Sequence, residues 1–456
     1  MTSTHELVTQ LLDRLGDRVI TPDHADYDIA RTGFYGGVDR RPAAMVRAGT
    51  ADDVAATVTL VRDAGGSLAV RSGGHSMAHH SLSDGGIVLD LSAMKTLRID
   101  PEERTAWAEP GLTAGEFLAG LDEHGLVAGF GDTGSVGIAG ITLGGGVGYL
   151  SRVHGLTIDN LIAADVVTAE GELVRADADS HPDLFWAIRG GGGNFGVVTR
   201  LKYRLHELPS VVGGMLVLPA TPQVVASIVA QALAAPDELS LIVNVMVAPP
   251  MPFLPPEVHG KLIAMALVCY AGDAEAGERA IAPLRAIAQP LVDLVHPGTY
   301  RELFPPEPED MHPVAASRTL YLEDVDEESA ALIIDRLRAS DAAMAAVNLR
   351  VLGGAIGRVA AADTAYAHRD RRIMANVAAL AFTPDGSDAR EAWATEFADA
   401  LRDGDSAAYV NFVGDEGPQR VHDAYPPATW HRLAEVKRRY DPTNFFRGNQ
   451  NIAPAL

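Results

Sequence analysis

The chain has 456 residues, 47% of them hydrophobic, with 60 acids against 37 bases and a formal net charge of -23. That length predicts roughly two or three domains with ample core, and the acidic balance opposes nucleic acid or an anionic membrane surface as partner. A single cysteine, Cys269, excludes an internal disulfide framework; set in an apolar run, it reads as an inert core thiol.

The first residues show no basic stretch followed by an apolar one, so no secretory signal is expected. No apolar run approaches the roughly 20 residues that span a bilayer, and a cytoplasmic protein is the expectation. Leu7, Leu11, Leu12 and Leu15 are spaced as one apolar helix stripe. Thr50 reads as an N-cap with Asp52 and Asp53 in the first turn, opening a helix to about Ala64 that Gly65-Gly66 ends. A strand to Val70 then enters the densest stretch, Val70-Arg71-Ser72-Gly73-Gly74-His75-Ser76-Met77-Ala78-His79-His80. Gly73 and Gly74 permit positive φ and close backbone approach. Successive N–H groups in such a turn form a cradle for anions, commonly phosphate. His75 sets a nucleophilic ring beside it, which suggests a cofactor held by charge and by a covalent bond. A histidine with only a structural role is the bland alternative. His75 and His79 would suit zinc only on a helix; the glycines oppose one, and no metal is expected.

Strands are predicted over 86–91 and 105–109, then a helix over 113–125 with Thr113 and Glu116 as a capping box. Residues 129–152 are too rich in glycine for a stable element. Val136, Ile138, Ile141, Leu143 and Val147 interleave, which a polar flexible linker would not show. Backbone lying against a flat or extended ligand is the expectation. A hairpin over 161–175, a helical turn over 181–189 and a strand over 197–205 follow. Gly191, Gly193 and Gly196 spell the dinucleotide fingerprint, but that motif needs a helix after it and here a strand follows, so an NAD site is rejected.

Leu208-Pro209 reads as a domain boundary. From 213 to 400, strand-like runs (215–219, 239–247, 262–270, 348–352, 373–382) alternate with Ala-rich helices (224–234, 274–288, 327–338, 389–401). Proline-rich connections at 249–256 and 304–313 read as loops. The pattern suits an antiparallel sheet with helices on one face and an open other face, a natural wall for a substrate pocket. Residues 409–412 read as a short strand and 429–440 as a helix stopped by Asp441-Pro442.

Arg71-Ser72-Gly73-Gly74-His75-Ser76 resembles the flavin-attachment segment of berberine bridge enzyme-like oxidases, in the vanillyl-alcohol oxidase superfamily. Three further segments match in order: the glycine-rich run 129–152, Phe185-Trp186-Ala187 through Gly196, and Asn444-Phe445-Phe446-Arg447-Gly448-Asn449-Gln450-Asn451-Ile452. The likeness is nearest to bacterial members of hydroxynicotine oxidase type. It implies an α+β, two-domain flavoprotein. A PCMH-type FAD-binding domain would take residues 1–209, with its core about 38–209. A substrate-binding domain would take 210–404, and 405–456 would return to the FAD domain.

The resemblance implies FAD attached through His75. Arg71, Ser72, Gly73, Gly74, Ser76, Thr133, Gly134, Ser135, Gly137, Gly140, Gly148, Gly196, Val198 and Asn449 would contact the cofactor. Thr133 stands where many members carry a second linking cysteine, so a single bond and a substrate smaller than an oligosaccharide are expected. Val136 falls at the family's oxygen-gatekeeper position. Tyr409, in Tyr409-Val410-Asn411, matches the family's Tyr-x-Asn base, with Asn411 its companion. A phenol of pKa roughly 10 needs a cation or donor nearby to act near neutrality, and the sequence does not identify it. Where some relatives place a second tyrosine, this chain has Val147, with Tyr149 on the same face if the run is extended.

The expected reaction is hydride transfer from a small alcohol, amine or natural-product substrate to FAD, with O2 as acceptor and H2O2 as product, in a monomer or homodimer. A dehydrogenase or an oxygenating tailoring enzyme on the same scaffold is the alternative, and a non-catalytic flavin-binding protein the outlier.

Overall fold

The computed structural model describes residues 3–208, 210–305, 311–402 and 404–456. Pro209 and part of the 304–313 connection therefore lie outside the described residues. The helix Thr4–Leu15 turns Leu7, Leu11 and Leu15 into a core, while Leu12 stays 41% exposed. Thr50 and Asp53 form a reciprocal capping box, which starts the helix Ala51–Asp63 and delivers the chain to the strand Leu68–Arg71. That strand pairs in parallel with Ile87–Asp90, which pairs in parallel with Ala44–Arg47. Every residue of Ile87–Asp90 is buried, as a central parallel strand requires. Residues 72–75 leave the free edge of this small sheet.

A second, antiparallel sheet runs in the order Leu97–Asp100, Thr105–Ala108, Val197–Arg204, Leu161–Val167, Leu173–Asp177. Its first strand was not expected, because alternating half-exposed residues over four positions are too short a pattern to stand out. The expectation that 129–152 holds no stable element is corrected. Ile138–Gly144 is a helix despite two glycines. Ile138, Ala139, Thr142 and Leu143 are buried on one side of it, and Thr142 Oγ1 lies 2.8 Å from the Tyr203 hydroxyl. Burial of a stripe outweighs weak propensity.

The stretch from Val211 to Ala381 builds an eight-stranded sheet. Helices Pro222–Ala234, Ala274–Arg285, Glu327–Arg338 and Ser387–Leu401 pack on one face. Period-two alternation sorts the strands. Val243 and Val245, Val347 and Leu349, Ala375 and Val377 join the helical core, while Asn244, Asn348 and Asn376 point the other way, into a cavity. The strand Val314–Leu322 was not predicted; Ala, Ser and Thr dilute its apolar signal. Cys269 is fully buried in this sheet, and burial pushes its thiol up to about 12. Among the described residues no helix is long and apolar enough to cross a membrane.

The C-terminal stretch differs from expectation at one point: Val410–Phe412 is a single 3-10 turn rather than a strand. Helices Pro418–Asp423 and Pro427–Tyr440 follow. Lys437, fully buried, donates to Asp441 Oδ2 (2.7 Å), to the Asn194 carbonyl (2.7 Å) and to the Phe446 carbonyl (2.9 Å). Asn194 in turn donates to the Gln450 carbonyl and accepts from the Ile452 N–H. This network ties the chain end to the 191–196 loop. Lys437→Met leaves Asp441 buried without its cation, and urea unfolding should show a loss of about 3–5 kcal/mol.

Candidate active site

A cavity of about 680 Å³ lies between the small parallel sheet, the glycine helix, the C-terminal stretch and the open face of the eight-stranded sheet. Ser72, Gly73, Gly74, His75, Ser76, Thr133, Val136, Gly137, Gly140, Gly196, Val198, Tyr409, Asn411 and Asn449 all line it. Four expected contacts are placed elsewhere. Arg71 donates to the Ala30 carbonyl and packs beneath Gly74. The Gly134 carbonyl accepts from the Gly115 N–H at 2.8 Å. Ser135 stands behind His75, its Oγ 3.0 Å from Nε2. Gly148 is pressed against the backbone of Gly131. Nor do Val147 and Tyr149 share a face: the chain turns there, so Val147 lines the cavity while Tyr149 packs edge-on against Phe304.

His75 stacks on Phe34 with ring centroids 4.1 Å apart and planes 21° apart. Burial chiefly lowers its pKa to about 4, the Arg71 charge adds to this, and the hydrogen bond with Ser135 opposes it. The imidazole is therefore neutral at pH 7 and keeps a nucleophilic lone pair.

Tyr409 sits across the cavity. Its phenol oxygen accepts from the Gly146 N–H at 2.8 Å and from Asn411 Nδ2 at 2.9 Å, and Asn411 Nδ2 also donates to the Ile141 carbonyl. Burial raises the phenol pKa; the Gly146 N–H, the Asn411 amide and the positive charge of Arg350 pull it back down. Arg350 is the cation that sequence reasoning missed. It pairs with Asp132 at 2.8 Å and lies 4.9 Å from the centroid of the Phe412 ring. The signal was an arginine inside an apolar strand, two positions from an asparagine on the same face.

Most glycines here serve protein contacts rather than a ligand. A Cβ at Gly73 would overlap Gly137, and one at Gly137 would overlap Gly73. A Cβ at Gly144 would overlap the Asn411 amide; one at Gly145 would meet the Tyr409 ring at 3.0 Å and the Tyr366 ring at 3.2 Å; one at Gly146 would overlap Thr157. Gly140 and Gly193 differ, with nothing within 4 Å of their missing Cβ atoms. Both face the cavity. Asn449 donates to the Gly193 and Phe446 carbonyls yet keeps a buried Oδ1 without a protein partner. Open backbone, an unspent acceptor and a neutral histidine on one cavity fit FAD. Gly140→Ala should leave the melting temperature unchanged and lower the ratio of flavin to protein absorbance in the purified protein. Gly148→Ala should instead cost about 1–3 kcal/mol of stability, since the Gly131 backbone must move.

Comparison with known proteins agrees with this geometry. Residues 42–177 match the family model of an FAD binding domain, and residues 408–453 match that of berberine and berberine-like proteins. The chain is 31% identical over 448 residues to (R)-6-hydroxynicotine oxidase of Paenarthrobacter nicotinovorans, covering 96% of each protein. It is 29% identical to the xylooligosaccharide oxidase of Thermothelomyces thermophilus, covering 91% of this chain and 88% of that one. Its structure superposes on 6-hydroxy-D-nicotine oxidase from Arthrobacter nicotinovorans with a TM-score of 0.84 at 29% identity, over 96% of this chain and 98% of that one. By these matches the chain belongs to the berberine bridge enzyme-like FAD-linked oxidases.

Proposed function

We propose that this oxidase holds FAD by one covalent bond, from His75, and oxidises a small alcohol, amine or natural-product substrate with O2 as acceptor, releasing H2O2. One observation carries the reading: a neutral histidine and a tyrosine flanked by N–H donors and a guanidinium face the same cavity. Bound FAD would supply acceptance of a hydride from a substrate carbon and delivery of the electrons to O2. Thr133 carries a hydroxyl and no thiol where a second link would need one, which favours a single bond. Val136 lines the cavity with a small side chain, which suits access of O2. The Gly196 and Val198 backbone, Asn449 and the turn 72–76 are the groups placed to hold the rest of the cofactor.

Tyr409 is assigned the proton. In its ionised form the phenol oxygen takes a proton from the substrate hydroxyl or amine, and the Gly146 and Asn411 donors then stabilise the charge it carries between turnovers. The 1–209, 210–404 and 405–456 division fits this reading, since each stretch contributes to the cavity wall.

Acid precipitation of the wild-type protein should leave yellow colour in the pellet, and His75→Ala should release it to the supernatant; colour lost from the wild type refutes the bond. Tyr409→Phe should lower kcat/KM roughly 10²- to 10⁴-fold with the flavin still bound. Activity rises with pH as the phenolate forms. Removing the Arg350 charge raises the phenol pKa, so Arg350→Met should move the rising limb of the pH–kcat/KM profile to higher pH. An unmoved limb would separate Arg350 from the base.

A further inference from the structure

The open sheet face forms the roof of the cavity and carries a row of three carboxamides. Asn244 stands opposite Asn348, and Asn348 opposite Asn376, on adjacent strands. The polarity of this row is set by its neighbours. A guanidinium offers only donors, so the Asn348 atom that Arg350 meets is Oδ1. Asn348 Nδ2 is thereby turned to donate to Asn244 Oδ1 at 2.8 Å. Asn376 Oδ1 accepts from Ser317 Oγ at 2.8 Å. Each of the three carboxamide oxygens already accepts a hydrogen bond from a protein donor that holds it turned toward that donor. What the row keeps unspent is N–H: Asn244 Nδ2 and Asn376 Nδ2, carried by residues of the lining.

Among the described lining residues Asp132 and Arg350 are the only Asp, Glu, Lys or Arg, and they pair with each other. Met246, Met251, Met265 and Met344 flank the row with a pliable apolar surface. A few convergent polar groups in an apolar cavity fix the orientation of what binds. Here they are donors, and an oxygen acceptor satisfies them while an ammonium group opposes donors with donors.

We infer that the roof selects substrates bearing a carbonyl or phenolic oxygen on an apolar body, uncharged or anionic, and rejects cationic amines. The inference rests on the cavity being the substrate site of the proposed oxidase, and it narrows the substrates named there. Asn244 and Asn376 are specificity-determining residues in this assignment.

The test is calorimetric titration of the FAD-loaded protein at pH 7, under argon, with three probes of one shape: 2-naphthol, 2-naphthoate and 2-naphthylmethylammonium. The expected order places naphthol and naphthoate at least ~10-fold tighter than the ammonium, the scale of a hydrogen bond gained against a donor left unpaired. Asn244→Asp presents an acceptor and a charge in place of the donor, and should reverse the order. An ammonium probe that binds the wild type as tightly as naphthol, or an order that Asn244→Asp leaves unchanged, overturns the assignment. Failure of the oxidase reading would look different: no oxidisable compound would bleach the flavin, whatever the order of probe binding.

Discussion

Two glycines set back to back hold this site together. Gly73, in the turn that leaves the small parallel sheet, touches Gly137 at the start of the glycine helix so closely that neither position has room for a Cβ. The contact fixes His75 on one loop relative to the helix Ile138–Gly144 on the other. The end of that helix then seats Asn411 and Tyr409, because Gly144 and Gly145 leave space for their side chains. His75 and the phenol are thus registered to each other through close backbone packing.

The electrostatics of the site are local rather than global. The chain carries a formal net charge of -23, yet Arg350 is the charged group whose field lowers the Tyr409 pKa. Asp132 holds the guanidinium in place, and the Phe412 ring lies against it. His75 is governed by the opposite effect, since burial keeps its ring uncharged. One cavity therefore favours a neutral base at one end and moderates the burial of an acid at the other.

Much of this was legible in the sequence where a local rule had a single reading. The capping boxes at Thr50 and Thr113, the helix Glu327–Arg338 and the hairpin strands Leu161–Val167 and Leu173–Asp177 announce themselves by side chains close in the chain. The motif segments were legible too, because their glycines and histidine are unusual together. What escaped was decided by contacts distant in the chain. The glycine helix forms because tertiary burial favours it, and Val410–Phe412 turns because Tyr409 must reach Gly146. Glycines that read as a bed for a ligand proved mostly to be places where one loop meets another. Arg350 joins Asp132 across 218 positions, and no spacing rule connects them.

Tyr409 reaches its Gly146 donor across 263 positions, and Lys437 secures Asn194 across 243. The ribosome makes a chain from its N-terminus, so the turn 72–76 with His75 emerges long before the phenol, the buried lysine or Asn449. A nascent chain halted ahead of residue 409 would hold His75 without the wall that completes its chamber. The chamber is then closed only once residues from 409 onward have been made.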